Sequence, residues 1–209
     1  MKGIIVKGIA GFYYVKTPQS VVECKARGIF KKQGISPLVG DEVEISPSDE
    51  GKGVIERIWP RRNEFIRPPV SNIDCFVIVM AVNKPKPNLF LLDKFLVMAE
   101  TSSTDAVIAL NKCDLAKENE TEEIAEIYEG IYPVVTMTAE KGEGIDELTE
   151  LIKGRKVAFS GPSGVGKSTI INLLTPDAKA ETGDISHKTK RGKHTTRHVE
   201  MFEYAGGFV

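Results

Sequence analysis

The sequence predicts two domains, a small closed β-barrel followed by a doubly wound α/β domain. Two observations carry this prediction. Short runs rich in β-branched and aromatic residues, separated by Gly, Pro and Asp, fill residues 1–66, whereas strand-like and helix-like runs alternate from residue 73 onwards. With 209 residues, the chain is long enough for one ordinary domain and a small second one.

The first domain is predicted to be an OB-like barrel at residues 1–66. Its strand-like runs are IIVKGIAGFYYVK, SVVECKARGIF, DEVEIS and GVIERIW, at residues 4–16, 20–30, 41–46 and 53–59. About five such strands favour a barrel, because closure removes the free edges that a small open sheet would expose. An Arg- and Pro-rich connector at residues 61–72 then places the domain boundary near Arg67.

The second domain, residues 67–209, is predicted to contain a mainly parallel sheet. Apolar runs typical of buried strands lie at residues 74–82, 105–115, 132–139 and 155–161, and helical runs lie at 89–102, 121–130, 144–154 and 167–175. Alternation of this kind indicates a doubly wound fold, whose ligands bind at the carboxyl ends of the strands.

The segment GPSGVGKS, residues 161–168, matches the phosphate-loop pattern G-x-x-x-x-G-K-[ST] between a strand and a helix. Glycines let backbone N–H groups close around phosphate oxygens, Lys167 reaches the β and γ phosphates, and the Ser168 hydroxyl suits Mg²⁺. The alternative is a glycine-rich turn with an incidental lysine. The predicted phosphate-binding residues are Gly161, Pro162, Ser163, Gly164, Val165, Gly166, Lys167, Ser168 and Thr169.

The segment NKCD, residues 111–114, follows an apolar strand and is predicted to read guanine. An ionised Asp114 can accept both the N1–H and the N2 amine of guanine, a pair of donors that adenine lacks. Asn111 can bond ring and loop atoms, and the stem of Lys112 can lie across the base. Thr138 and Ala139, after the next strand, would let a backbone amide approach the guanine O6. The alternative is an Asn/Asp loop that opens a helix.

Composition gives no sign of a nucleic-acid or membrane protein. The hydrophobic fraction is 41%, the charged fraction 27% and the net charge −1. No window offers the roughly 18 apolar residues of a membrane helix, and the N-terminus has no signal-peptide core. We therefore expect a cytoplasmic protein with no membrane partner. Cys24, Cys75 and Cys113 form no C-x-x-C pair, so we expect reduced thiols and no zinc site in this chain.

The order NKCD, TAEK, then GPSGVGKS resembles the circularly permuted GTPases of the RsgA/YjeQ/YloQ family. The barrel, the connector IRPPVSNID and the stretch RGKHTTRHVE extend this resemblance to essentially the whole chain. It implies binding of GTP and GDP, Mg²⁺ as the metal, and hydrolysis stimulated by the small (30S) ribosomal subunit during its late maturation. Contact with 16S rRNA follows from the same resemblance, and a monomer is expected.

The resemblance assigns residues 179–198, which hold all three histidines and a cluster of Lys and Arg, to the first switch. Thr195 or Thr196 would reach Mg²⁺, so the implied catalytic residues are Lys167, Ser168, Thr195 and Thr196, and the implied metal ligands are Ser168, Thr195 and Thr196. The family continues with a D-x-P-G segment and a zinc domain, whereas this sequence stops at Val209. We therefore expect a truncated chain in which GTP binding survives better than turnover.

Two other functions remain open from the sequence. The chain is a nucleotide-dependent ribosomal RNA-binding module with little turnover if the barrel and the basic segment only hold RNA. Tyr13, Tyr14 and Phe30 then form stacking platforms among lysines, or else fill the barrel core. A P-loop nucleoside or nucleotide kinase is the third hypothesis, but it leaves NKCD without a role.

Overall fold

The computed structural model describes residues 1–48, 52–66, 68–176 and 199–209. These residues fall into two compact units. The first contains the described residues up to Ile73 together with 199–202, and the second contains those from Asp74 to residue 176 together with 203–209. Arg67 lies outside the described residues, and the domain limits 1–66 and 67–209 stay a prediction.

Five strands of the first unit close into a barrel in the order β1-β2-β3-β5-β4. They are β1 (Lys2–Ile9), β2 (Phe12–Lys16), β3 (Val21–Ala26), β4 (Glu42–Pro47) and β5 (Gly53–Ile58). Neighbours pair antiparallel except β3 and β5, which are parallel. The interior is filled by Ile5, Val15, Val43, Ile45 and Ile55, all at most 1% exposed. The predicted OB-like barrel is confirmed.

One strand prediction in the barrel is wrong at its end. The run at residues 20–30 was expected to be extended throughout, but β3 ends at Ala26 and residues Gly28–Lys32 form helix α1. Phe30 turns inward and is 7% exposed, so it belongs to the core, whereas Tyr13 and Tyr14 are half-buried. A five-residue helix is shorter than two turns, so its apolar residues show no helical period in the sequence.

The connector is held against the barrel by a buried carboxylate. Asp41, which is fully buried, accepts hydrogen bonds from Arg61 Nε at 2.7 Å and Arg61 Nη2 at 2.8 Å. Ser71 Oγ donates to the same carboxylate at 2.6 Å. Because a buried charge is tolerated only when it is paired and hydrogen-bonded, this arrangement fixes Arg61 and Ser71 on the barrel.

Residues 199–202 form an extended arm on the first strand of the barrel. The Met201 N–H donates to Val6 O at 2.7 Å, and Lys7 Nζ lies 2.8 Å from Glu200 Oε1. Met201 is 7% exposed. The arm therefore extends the barrel sheet by a few residues that are remote in sequence.

The second unit contains a four-stranded sheet in the order β8-β7-β6-β9, in which every pair is parallel. The strands are β6 (Cys75–Ala81), β7 (Asp105–Asn111), β8 (Val134–Thr136) and β9 (Val157–Ser160). The helices are α2 (Leu89–Thr101), α3 (Glu120–Tyr128), α4 (Ile145–Ile152) and α5 (Lys167–Leu174). The predicted α/β alternation is confirmed.

Strand β6 is buried along all seven residues, which explains its unbroken apolar sequence. The short hairpin of β10 (Glu203–Tyr204) and β11 (Gly207–Phe208) was not predicted, since two-residue strands leave no pattern.

The cysteines are free, and burial raises the pKa of Cys75 to about 11. None of the helices in the described ranges is long and apolar enough to span a membrane.

Candidate nucleotide-binding site

The loop between β9 and α5 has the tight backbone that its glycines predict. Gly161 and Gly166 have φ values of +134° and +102°. A Cβ on Gly161 would overlap Val79 O of the neighbouring strand, and a Cβ on Gly166 would overlap Asn111 Nδ2. Glycine is required at both positions, because the backbone conformation and the close neighbours each exclude a side chain.

Lys167 is the first residue of α5 and bends back over the loop. Its Nζ donates to Gly161 O at 2.9 Å and to Pro162 O at 2.6 Å. Burial lowers the pKa of this ammonium group. The two carbonyls thus hold a desolvated positive charge at the N-terminus of α5, where backbone N–H groups add to the attraction for an anion.

Asn111 joins two loops to the end of β7. Its Nδ2 donates to Val165 O at 2.8 Å, and its Oδ1 accepts from the Ala139 N–H at 3.0 Å. The side chain is buried, with the residue 2% exposed. Because both ends of the amide are used, Asn111 sets the spacing between the phosphate loop and the loop that follows β8.

Lys112 and Asp114 follow Asn111 in the chain and differ in their hydrogen bonds. Lys112 has a left-handed backbone, with φ of 64°, and its Nζ donates at 2.6 Å to both Lys84 O and Gly164 O. Asp114 is exposed, and its carboxylate has no hydrogen-bond or salt-bridge partner among the described residues. The carboxylate is therefore available to a ligand, whereas the lysine holds the loops together.

These residues surround a cavity of about 530 Å³. Its lining is Lys84, Asn111, Lys112, Asp114, Leu115, Thr138, Ala139, Glu140, Ser163, Gly164, Gly166, Lys167, Ser168 and Thr169. The volume suits a small-molecule ligand. The carboxyl ends of β7, β8 and β9 meet at one edge of the sheet, so three segments far apart in sequence line one site.

Most of the predicted binding residues line this cavity. Gly161, Pro162 and Val165 are outside its lining, and they act through backbone carbonyls that accept from Lys167 and Asn111. Thr195 and Thr196 lie outside the described residues, as does the basic segment 179–198. Lys84, Leu115 and Glu140 line the cavity but were not among the predicted binding residues. Leu115 directly follows NKCD, so its place in the sequence could have predicted that it lines the cavity. Nothing in the sequence near Lys84 predicts the same of that residue.

Comparison with known proteins supplies the family. The RsgA N-terminal domain family matches residues 2–55, and the RsgA GTPase family matches residues 58–209. The chain belongs to the RsgA family of circularly permuted GTPases. The predicted fold class and the predicted GTPase function are confirmed by this membership.

Two curated relatives in the RsgA family illustrate the similarity, and each is named small ribosomal subunit biogenesis GTPase RsgA. The protein from Alkaliphilus metalliredigens is 49% identical over 203 residues, which cover 96% of this chain and 70% of that protein. The protein from Clostridium beijerinckii is 49% identical over 210 residues, covering 100% of this chain and 72% of that protein.

Two solved structures have a similar fold. YjeQ from Thermotoga maritima has a TM-score of 0.81 and 33% identity, over 99% of this chain and 72% of that one. YloQ, described as a circularly permuted GTPase, has a TM-score of 0.73 and 33% identity, over 99% of this chain and 69% of that one. The order of NKCD before the phosphate loop is the order expected of such a permuted domain.

Proposed function

We propose that this chain hydrolyses GTP during biogenesis of the small ribosomal subunit, with the guanine bound by Asp114 and the phosphates by residues 161–169. The observation that carries the proposal is the double hydrogen bond of Asn111 to Val165 and Ala139. It joins the phosphate loop to the base-reading loops around one cavity, so a single nucleotide can contact both.

Guanine selection is assigned to the Asp114 carboxylate. Its two oxygens are free to accept the N1–H and the N2 amine of the base. Leu115, which is 38% exposed, offers apolar surface beside it, and the Ala139 backbone belongs to the loop expected near O6. Adenine would leave this carboxylate facing a ring nitrogen without a proton, so ATP would bind less tightly.

Phosphate binding is assigned to the loop and to Lys167. The ammonium already lies at the loop, where it is bonded to two carbonyls. A triphosphate would replace those neutral acceptors by charged ones, and charge-assisted hydrogen bonds are stronger. The N–H groups at the start of α5 would bind the same oxygens.

The residues present fit a magnesium ion held together with the nucleotide. Ser168 lines the cavity next to Lys167, and its hydroxyl has no hydrogen-bond partner among the described residues. Mg²⁺ prefers hard oxygen donors and takes few of them from protein when phosphates supply the rest. Ser168 would hold the ion, which would neutralise charge on the phosphates. Thr195 and Thr196 remain the further ligands proposed from the resemblance.

An Asp114→Asn variant tests the guanine assignment. We expect its GTP affinity to fall about 10-fold to 100-fold, since it loses hydrogen bonds to a charged group. Its affinity for XTP should rise, because the amide can donate to the C2 carbonyl of xanthine. Equilibrium binding of GTP, XTP and ATP to both proteins measures this.

Asp105→Asn is the matched control, because Asp105 starts the same strand at its opposite end and is exposed. Its base preference should equal that of the unchanged protein. If Asp114→Asn leaves the preference for GTP over ATP and XTP unchanged, the assignment is wrong. Equal affinity of the unchanged protein for ATP and GTP would instead support a P-loop kinase.

The proposed partner is the small ribosomal subunit with its 16S rRNA. Exposed Lys31 and Lys32, at the end of α1, supply positive charge on the barrel. These lysines also favour the second candidate function, an RNA-binding module with little turnover. GTP hydrolysis measured with and without small subunits separates the two. Stimulated turnover supports the enzyme, and co-sedimentation without stimulation supports the binding module.

A further inference from the structure

The turn that carries Asp114 is anchored to other segments on both sides. Residues Cys113–Leu115 form a single turn of 3-10 helix. On one side the Cys113 N–H donates to Met137 O at 3.2 Å, and on the other Leu115 O accepts from Asn83 Nδ2 at 3.0 Å. Asp114 lies between these two anchors. Its direction therefore depends on both hydrogen bonds.

Asn83 itself is held in a defined orientation. It follows β6 by two residues and is half-buried. Its Oδ1 accepts from the Lys84 N–H at 2.9 Å. Since an N–H can only donate and a carbonyl oxygen can only accept, the two contacts together determine which side of the amide faces Leu115. The Nδ2 group is thus aimed at the Asp114 turn before any ligand arrives.

The same loop also contacts the other side of the NKCD segment. Lys84 O accepts from Lys112 Nζ at 2.6 Å. Residues 83 and 84 therefore bond to the residue two before Asp114 and to the residue directly after it. No feature of the sequence around residues 83 and 84 marks these contacts, because Asn83 reaches Leu115, 32 residues away, and Lys84 is reached by Lys112, 28 residues away.

We propose that Asn83 is a positioning residue for guanine recognition, acting on Asp114 through the carbonyl of Leu115. The inference rests on the proposed role of Asp114. Accepting two adjacent donors with two oxygens requires the carboxylate plane to match the base edge, whereas one donor tolerates a rotated carboxylate. Loss of the Asn83 anchor therefore costs most for a base that offers both donors.

Comparison of GTP with ITP gives the test, because hypoxanthine keeps N1–H but lacks the N2 amine. Asn83→Asp keeps the acceptor for the Lys84 N–H and removes the donor to Leu115, and Asn83→Ala removes both. In each variant we expect the ratio of GTP to ITP affinity to fall roughly threefold to tenfold, the range that one net hydrogen bond supports. Affinity for ITP should change less than about twofold.

Asn88→Ala is the control for a purely structural effect. Asn88 caps α2 by accepting from the Leu91 N–H at 3.0 Å, so its loss also removes one hydrogen bond. It should lower thermal stability and leave the GTP to ITP ratio unchanged. If Asn83→Ala does not fold, as judged by its thermal melt, the isosteric Asn83→Asp decides the question.

The outcomes separate the two proposals. If the unchanged protein does not prefer GTP to ITP, the role of Asp114 and that of Asn83 both fail. If Asp114→Asn abolishes the preference but both Asn83 variants retain it, only the role of Asn83 fails. Equal loss of GTP and ITP affinity in the Asn83 variants also overturns the inference, because it indicates general damage to the site.

Discussion

At the scale of single residues, two glycines of the phosphate loop have similar backbones and different surroundings. Gly164 and Gly166 have φ values of +80° and +102°. A Cβ on Gly164 would have no heavy atom within 4 Å, whereas a Cβ on Gly166 would overlap the amide of Asn111. The motif requires glycine at position 166 because of Asn111, a residue at the end of β7 that is remote in sequence.

Alanine substitutions at these glycines should therefore differ in cost. Gly164→Ala adds only backbone strain, about 1–2 kcal/mol. Gly166→Ala adds the same strain and also displaces Asn111, which frees a buried amide, so we expect a further loss of about 1–3 kcal/mol. Thermal unfolding of the two variants without added nucleotide measures the difference. Equal destabilisation would show that the hydrogen bonds of Asn111 to Val165 and Ala139 contribute nothing to stability.

At the same scale, the sequence predicted the residue types of the site better than their contacts. It proposed Asn111, Lys112 and Asp114 from one local motif, and all three line the cavity. The hydrogen bonds of Lys112 to Lys84 O and Gly164 O were not foreseen, since they join residues that only folding brings together. The contacts of Asn83 and Lys84 with the NKCD segment were not foreseen for the same reason.

At the scale of elements, β6 is one of the two inner strands of the sheet that supports the site. It pairs with β7 on one side and with β9 on the other, and these neighbours lead into NKCD and the phosphate loop. Phe76, Ile78 and Met80 are at most 1% exposed. Packing of β6 therefore determines how far apart the NKCD segment and the phosphate-loop motif lie.

A matched pair of substitutions tests how much this strand contributes to stability. Ile78→Ala removes a fully buried side chain and should lower the free energy of unfolding by about 2–5 kcal/mol. Ile127→Ala makes the same change on α3, where Ile127 is 54% exposed, and should shift it by less than about 0.5 kcal/mol. Urea unfolding gives both values. If the two variants lose similar amounts of unfolding free energy, burial of β6 is not the main support of the sheet.

Element prediction succeeded where a run was long and periodic. All four long runs predicted as helices between residues 89 and 175 are helices, because each one presents an apolar face over two turns or more. It failed at α1, where five residues carry too little periodicity to distinguish a helix from a strand. Burial of Phe30 against the barrel, a tertiary contact, decides that conformation.

At the scale of the whole molecule, the barrel unit is not formed by one continuous stretch of the chain. The arm at residues 199–202 belongs to the barrel unit, whereas the described residues from 74 to 176 and from 203 to 209 are grouped with the second unit. Met201 bonds to β1 of the barrel, whereas Ala205 O accepts from the Gly154 N–H of the second unit at 3.1 Å. The chain thus returns to the barrel after the phosphate-loop helix.

Charge reversal tests how the arm is held. Lys7→Glu and Glu200→Lys each replace the 2.8 Å ion pair by repulsion, so the Met201 amide should exchange with solvent faster. The double variant restores opposite charges and should restore protection. Amide hydrogen exchange measures this. Arg27→Glu, which breaks a separate barrel ion pair with Glu56, is the control. Unchanged exchange in both single variants would show that the ion pair does not hold the arm.

The sequence by itself determined the barrel, the α/β alternation, the two nucleotide motifs and their permuted order. Each of these depends on a run of neighbouring residues, and periodicity and motif spacing within such a run predict it. The tertiary structure decided that the strands order as β8-β7-β6-β9, that Asn111 joins loops 28 and 54 residues away, and that Asn83 anchors the Asp114 turn. Such contacts depend on which strands become neighbours, and that follows from burying all the apolar surfaces of the chain together rather than from any one segment.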